Sequence, residues 1–436
     1  MATLTQPGSP RFAKSWEMLE DTPFYSRNYG GFSKGQWEFV LAHAGSLRGK
    51  EILDPMGGQA FYLSQLAWQG YSVTVGDINP APLLLAILRD PEMLCHADEL
   101  RRWAFRRLAP LKKLGGKSAS YQYIEDWTAP EIQHQLREYV AHFNLFALGS
   151  PISLSGTTFW EAPAKLRFAS ALPVLAAREL TCFRSSDNLT WLKRGGLQRE
   201  RSVYEAVLRA LDRWCLFAQE RSKFYSAKGR PNGILRAAWM DAERGYFSKS
   251  PKAHLVITSP AYANRLDYTR IWAPELAIVE QLFHVDSTRI KAMQIGSTVI
   301  RGKEVPSTEE GELPRVIQRA LKEIRKDTAN VASESYYYPF FANYAVSLKR
   351  MLVNIERRVR KGGQMMFFVR DTVRKDTLFP TGRLIEEMLS QAGWQLAGRE
   401  KKVVRQHLGM RRRASRSGLY GFAQTEWWLA FRRKSL

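Results

Sequence analysis

The sequence predicts an α/β protein, a Rossmann-like sheet interrupted by a large and mostly helical insertion. Three observations carry that prediction. The stretch "GKEILDPMGGQAFYLSQLAWQGYSVTVGDINP" parses as strand, Gly-containing turn, helix and strand, the start of a βαβ unit. From about residue 232 the same alternation of apolar strands and amphipathic helices resumes. Between them, from about Leu85 to Arg230, helical periodicity dominates and no run of alternating strands continues the first sheet.

Taken in order, a buried strand is expected over Glu51 to Leu53, a helix over about Ala60 to Gln69 with a stop at Gly70, and a second strand over Ser72 to Val75 ending in Gly76-Asp77. Past Pro82 the chain turns helical and basic, as in "ELRRWAFRRLAPLKKLGGK". "FNLFALGSPISLSGTTFW" reads as a loop-rich or hairpin stretch, and "ERSVYEAVLRALDRWCLFAQERSKFYSAKGRPNG" as one amphipathic helix closed by a Gly-Arg-Pro-Asn-Gly turn. A strand ending near Asp241 and the strand "AHLVITSPAY" come next. The segment "GKEVPSTEEGELPR" is a polar loop candidate. A long helix from "SYYYPFF" is expected to stop at Gly362-Gly363, with a strand after it. A further helix and strand follow in "TGRLIEEMLSQAGWQLAGREKKV", and "TEWWLAFRR" is the last strand. This divides the chain into residues 1–84, an insertion over 85–231, and 232–436.

Composition narrows the function classes. Lys and Arg total 65 against 42 Asp and Glu, a formal charge of +23 with a pI near 10.0, and 12% of residues are aromatic. Cations that displace phosphate counterions and rings that stack on bases point to a nucleic-acid partner. A merely basic housekeeping protein is the alternative. Cys95, Cys182 and Cys215 have neither metal-ligand nor disulfide-framework spacing, so no metal site is expected. No apolar run approaches the roughly 18 to 20 residues of a membrane span, so a cytoplasmic protein without a membrane partner is expected.

In a doubly wound sheet, a nucleoside-bearing ligand binds at the carboxyl ends of the strands. Asp54, Pro55, Gly57 and Gly58 follow the first strand, Asp77 and Ile78 the second, and Asp241 and Ala242 the probable third. Glycine lets backbone approach a ligand, and a carboxylate after the second strand can accept both ribose hydroxyls. "DPMGGQ" is not a dinucleotide fingerprint, and no Gly-Lys-Ser/Thr phosphate loop is present. An ordinary βα turn with a capping Asp remains the alternative for Asp77.

"ILDPMGG…VGDINP" followed by "TSPAYANRLDYTR" resembles the S-adenosylmethionine-dependent DNA amino-methyltransferases, especially the cytosine-N4 type. That family runs Asp-Pro-Phe-x-Gly-x-Gly-Thr, then Asp-Ile-Asn-Pro, then Ser-Pro-Pro-Tyr, often continued as Ala-Asn-Arg-x-Asp-Tyr-Thr-Arg. "FYSRNYGGFSKGQWEFV" is similar to its cofactor lead-in, and "RVRKGGQMMFFVRD" through "PTGRLIEEMLSQAGW" to its later motifs. The resemblance covers roughly the first 85 residues and everything after about 232. It implies a class I methyltransferase sheet with S-adenosylmethionine as cofactor. By the same resemblance Asp54, Pro55, Gly57 and Gly58 line the methionine end, Asp77 and Ile78 the ribose, Asp241 and Ala242 the adenine, and Tyr25 the segment that closes over the cofactor.

The catalytic group implied is Ser259, Pro260, Ala261 and Tyr262. An exocyclic amine is a poor nucleophile because its lone pair is delocalised into the ring. With the Ser259 hydroxyl oxygen and the Pro260 carbonyl each accepting one amino hydrogen, the nitrogen moves towards tetrahedral geometry, and Tyr262 stacks on the base. Such a base must first leave the duplex. Ser259 favours cytosine N4 over adenine N6, for which Asp or Asn is commoner. Ala261 departs from the family's second Pro, and three explanations stay open: a tolerated variant, a degenerate enzyme that still binds DNA, or an introduced change.

The expected partner is double-stranded DNA, with other defence-system subunits as further partners in a modification or defence system. Arg101, Arg102 and Arg106 in the insertion, Asn264 and Arg265 after the catalytic turn, and Arg411 and Arg412 in the basic run "REKKVVRQHLGMRRRASRSG" are the candidate DNA contacts. A solvated basic face is the alternative for the helix. An RNA methyltransferase and a catalytically disabled DNA-binding subunit are the competing functions.

Overall fold

The computed structural model describes residues 34–114, 123–149, 151–152, 159–185, 192–197, 202–226, 233–247, 250–264, 267–299, 307–326, 333–374, 377–404 and 424–433. Its centre is an 8-stranded sheet. The strands are β1 (Glu51–Asp54), β2 (Ser72–Asp77), β3 (Ile234–Asp241), β4 (Ala253–Thr258), β5 (Val359–Arg370), β6 (Trp394–Val404) and β7 (Gln424–Arg433), with the short strand Tyr246–Phe247 on the β3 edge. Their order is β6-β7-β5-β4-β1-β2-β3. Strands β1 to β5 pair in parallel, whereas β7 runs antiparallel between β5 and β6. The strand order therefore reverses between β1 and β4, which makes their carboxyl ends the switch point of the sheet. A Rossmann-like, largely parallel sheet with a large, mostly helical insertion is the fold observed.

Both faces of the sheet are buried, as a parallel sheet requires. Successive residues of one strand serve opposite cores. Ile52, Leu255, Ile257, Met366, Phe368 and Ala430 face one core, while Leu53, Val256, Met365, Phe367, Leu429 and Phe431 face the other. The first core takes the helices Lys34–Ala44, Leu63–Trp68, Pro80–Ile87 and Ala273–Phe283, and also the helices of the insertion, Ala97–Leu108, Pro130–Phe143, Ala164–Leu175 and Val203–Ser226. The second takes Arg315–Lys326, Tyr338–Glu356 and Thr381–Gln391.

The insertion thus forms a helical layer over one sheet face. Trp214 Nε1 on the long insertion helix donates to the Leu88 carbonyl (2.9 Å), and Trp68 Nε1 on the helix after β1 donates to the Arg89 carbonyl (2.8 Å), so both helices are tied to the start of the insertion. The fully buried Arg89 guanidinium lies over Phe61 (5.0 Å) and Phe217 (5.7 Å), one ring from each side of the boundary.

Three expected elements differ, the first being the polar loop candidate, within which Ser307–Gly311 form a short helix. The helix predicted to run to Gly362-Gly363 ends at Glu356, and β5 begins at Val359 and passes through the glycines. Gly362 takes φ +73°, and the pairing with β4 shifts register between Val359 and Gln364, so the pair makes a bulge and not a helix stop. The helix after β1 spans Leu63–Trp68 only, because Ala60 sits at φ +56° in a turn that a helix cannot include. Among the described residues no helix is long and apolar enough to cross a membrane.

Candidate active site

A cleft with an open volume of ≈ 1070 Å³, its mouth included, lies at the switch point. One wall comes from the carboxyl ends of β1 and β2: Asp54, Met56 to Leu63, Asp77 to Asn79, and Pro82. The other comes from beyond β4: Ser259, Ala261, Tyr262, Tyr268, Trp272, Gln294 and Ile295. Among the described residues no Lys or Arg lines it.

The first wall is backbone and carboxylate. Asp54 ends β1, and its Oδ1 accepts the Met56 N–H at 3.0 Å. Gly57 donates to the Gly76 carbonyl (2.9 Å), and a Cβ on Gly57 would stand 2.8 Å from Val75 Cγ1 and 3.0 Å from the Asp54 carboxyl. Any side chain there would have to displace β2 or Asp54. Gly58 turns the chain at φ +55°. The Asp77 carboxylate accepts the Asn79 N–H at 2.8 Å and those of Gly58 and Ile78. Trp239 on β3 fixes the loop by donating to the Ile78 carbonyl (2.9 Å). Asn79 caps the helix Pro80–Ile87 by accepting from Ala81 (3.0 Å), while its buried Nδ2 has no partner among the described residues.

Burial without a countercharge dominates both acids. It pushes Asp54 up to about 7, against the Met56 N–H and the Thr258 hydroxyl, with a small further push from the Asp77 charge. It pushes Asp77 up to about 6 in spite of three N–H donors. Carboxylates raised this way by burial in a cleft are candidates for a functional site.

The second wall is a turn braced by its neighbours. Ser259 Oγ donates to the Phe368 carbonyl at 3.0 Å and lies 3.5 Å from the Tyr262 hydroxyl. The buried Tyr344 hydroxyl donates to the Ala261 carbonyl (2.9 Å). Arg370 stands over the Tyr262 ring at 5.1 Å while its Nη2 donates to Glu426 (3.0 Å). Burial pushes the Tyr262 and Tyr268 phenols up. Asp267 caps the helix Tyr268–Ile271, accepting from Thr269 Oγ1 (2.5 Å) and Lys291 Nζ (2.9 Å), so the wall's Tyr268 and Trp272 are set by a buried ion pair. Its carboxyl is held below the usual range by those donors, which overcome burial.

Of the residues singled out from the sequence, Asp54, Gly57, Gly58, Asp77, Ile78, Ser259, Ala261 and Tyr262 share this cleft. Pro55 and Pro260 belong to the same two turns but are not part of the lining. Asp241 and Ala242 do end β3, yet they too lie outside the lining. Arg244 covers Asp241, its backbone N–H at 3.0 Å from Oδ1 and its Nη1 at 2.7 Å from Oδ2. Arg101, Arg102 and Arg106 are exposed on the helix Ala97–Leu108, away from the lining, and Arg101 pairs with Asp212 at 3.7 Å. Asn264 is exposed just past the turn. Tyr25, Arg265, Arg411 and Arg412 lie outside the described residues.

Sequence reasoning missed Asn79, Phe61, Tyr62, Trp272, Gln294 and Ile295. Asn79 was within reach, since it sits two residues past Asp77 in a capping position. Gln294 and Ile295 belong to no motif.

No family model and no curated protein matches the sequence. Among solved structures the chain is similar to two of the rRNA methyltransferase aviRa from Streptomyces viridochromogenes, at 11% and 12% identity. Each likeness covers 94% of this chain and 88% of that one, with a TM-score of 0.28. A score that low decides nothing for this chain, whose fold rests on its own strand order and pairing.

Proposed function

We propose that the chain is an S-adenosylmethionine-dependent methyltransferase acting on the exocyclic amino group of a base in duplex DNA, cytosine N4 first. The observation that carries this reading is the single cleft in which the Asp54-Gly57-Asp77 wall faces the Ser259-Ala261-Tyr262 wall at the switch point. The first wall suits the cofactor. Gly57, with no room for a Cβ against Val75 and Asp54, lets the turn pack tightly onto the strand ends beside the cleft, and Asp77 offers a carboxylate of suitable placement for a ribose diol. The orphaned Asn79 Nδ2 adds a buried donor. S-adenosylmethionine supplies an electrophilic methyl group on a sulfonium.

The second wall suits the amine. Because Ser259 gives its hydroxyl hydrogen to the Phe368 carbonyl, its lone pairs remain to accept an amino hydrogen. The Pro260 carbonyl takes the second. Tyr262, Tyr268 and Trp272 provide apolar ring faces for an extruded base, whose unstacking costs a few kcal/mol. Ala261 leaves this arrangement standing, which supports its reading as a tolerated variant. The net charge of +23 supports a polyanionic acceptor.

The test is incubation with tritiated S-adenosylmethionine and mixed-sequence duplex DNA, followed by nucleoside digestion and mass spectrometry, beside Ala261→Pro. Labelled N4-methylcytosine from the natural chain is the expected result. Label in N6-methyladenine would move the target base, and label in the Pro variant alone would make the chain a disabled enzyme. No label on DNA but label on ribosomal or transfer RNA would replace the acceptor class.

A further inference from the structure

We infer that Gln294 is the residue that reads the acceptor base, its carboxamide N–H donating to the ring nitrogen beside the exocyclic amine. This rests on the function proposed above and names the group that selects its substrate.

Gln294 is 9% exposed and lines the cleft on the same wall as Ser259, Ala261 and Tyr262. Its carboxamide has no hydrogen-bond partner among the described residues. In an open cleft such an amide bonds to water, which a polar atom of the ligand can displace.

The backbone holds the side chain there. The Gln294 carbonyl accepts the Ser297 N–H (3.0 Å), Ser297 Oγ donates to the Lys291 carbonyl (2.6 Å), and the Val299 N–H donates back to Ser297 Oγ (3.1 Å). Gly296 turns the chain at φ +73° beside the Tyr262 carbonyl and the Tyr344 ring. Lys291, one turn earlier, pairs with Asp267, which caps the helix bearing Tyr268. The backbone at Gln294, the helix bearing Tyr268 and the catalytic turn are thus linked to one another.

The chemistry of the base selects the role. With both amino hydrogens taken by Ser259 and Pro260, the next polar atom on that edge is the adjacent ring nitrogen, N3 of cytosine or N1 of adenine. Both are acceptors, and among aromatic walls they need a donor. The amide supplies one, whereas thymine and the imino edge of guanine present an N–H at that position and are refused.

The experiment pairs Gln294→Leu and Gln294→Glu with duplex oligonucleotides carrying cytosine or 3-deazacytosine at the methylated position, or adenine and 1-deazaadenine if adenine is the target. Binding of S-adenosylmethionine is followed by calorimetry. The expected result is a loss of about 10- to 100-fold in kcat/KM for Gln294→Leu on the natural base and a larger one for Gln294→Glu, which has no donor. On the deaza base wild type already shows that loss and Gln294→Leu adds nothing to it. Affinity for S-adenosylmethionine stays unchanged. Equal losses on natural and deaza bases, or a fall in cofactor affinity, would overturn the assignment while leaving the proposed activity intact. A wild-type chain that methylates no nucleic acid would remove the activity and the assignment together.

Discussion

Asp77 and Asp241 end neighbouring parallel strands, paired in register from Ser72 with Ile234 to Asp77 with Trp239, and the sequence offers both as ligand-binding acids. Their surroundings separate them. Asp77 faces the cleft among backbone N–H groups with no cation beside it. Asp241 is not part of the cleft lining, and Arg244 supplies it with both a backbone and a side-chain donor. Strand-end position brings a carboxylate to the ligand edge of the sheet, but whether it serves a ligand depends on whether the chain already satisfies it. An acid whose hydrogen bonds and charge are answered within three residues has little left to offer.

The sharpest way to break this contrast is a pair of truncations. Asp77→Ala should weaken S-adenosylmethionine binding by about 2–3 kcal/mol, the worth of charged hydrogen bonds to a diol, when followed by calorimetry. Asp241→Ala should leave the affinity within a few-fold and show itself in thermal unfolding instead. Equal losses of affinity would return Asp241 to the cofactor site and dissolve the distinction.

The same contrast predicts a stability effect of opposite sign to the functional one. Asp54 at about 7 and Asp77 at about 6 lie above the ordinary carboxylate value near 4, so ionising either one costs folding free energy. That cost is absent below about pH 4, grows as pH rises through the raised values, and is complete above about pH 8. Asp54→Asn should therefore be more stable than wild type at pH 8, by on the order of 1–3 kcal/mol, with the gap closing towards pH 5. Denaturant melts at the two pH values decide it, and a variant less stable at pH 8 would show the carboxylate to be paired after all.

The first wall was far more legible in the sequence than the second. Asp54 and Asp77 close short buried apolar runs, and Gly57 lies in the turn just past the first, so the local pattern marks them as strand-end or turn residues. Ser259 and Tyr262 were marked only through the resemblance of "TSPAYANRLDYTR" to the amino-methyltransferase motif, the apolar strand before them showing no more than a strand end. Trp272, Gln294 and Ile295 arrive through helices and a turn whose position is set by tertiary packing, and no local periodicity aims a side chain into a cleft. The bulge at Gly362-Gly363 was misread because a glycine that takes positive φ ends helices and kinks strands equally well. That the insertion helices share a core with the first half of the sheet was likewise illegible, since amphipathic helices announce an apolar face but not its partner.

The smallest expected effect sharpens the contrast on the other wall. In the proposed function Asp77 would touch the cofactor itself, whereas Tyr344 bears on the cleft by holding the Ala261 carbonyl (2.9 Å), at the position where a Pro would fix the turn through its ring. A hydroxyl that anchors this carbonyl restricts the same backbone that a Pro ring would restrict through φ. Tyr344→Phe keeps the buried ring and its packing on Phe379 and removes only that anchor. It should lower kcat several-fold, about 1 kcal/mol, with unchanged S-adenosylmethionine affinity and little change in melting temperature. Adding Ala261→Pro to Tyr344→Phe should recover most of the lost rate if the hydroxyl acts by stiffening the turn. A double variant as slow as Tyr344→Phe alone would mean that the hydroxyl does something a stiff turn cannot, and Tyr344 would then join Asp77 among residues whose own polar atoms serve the reaction.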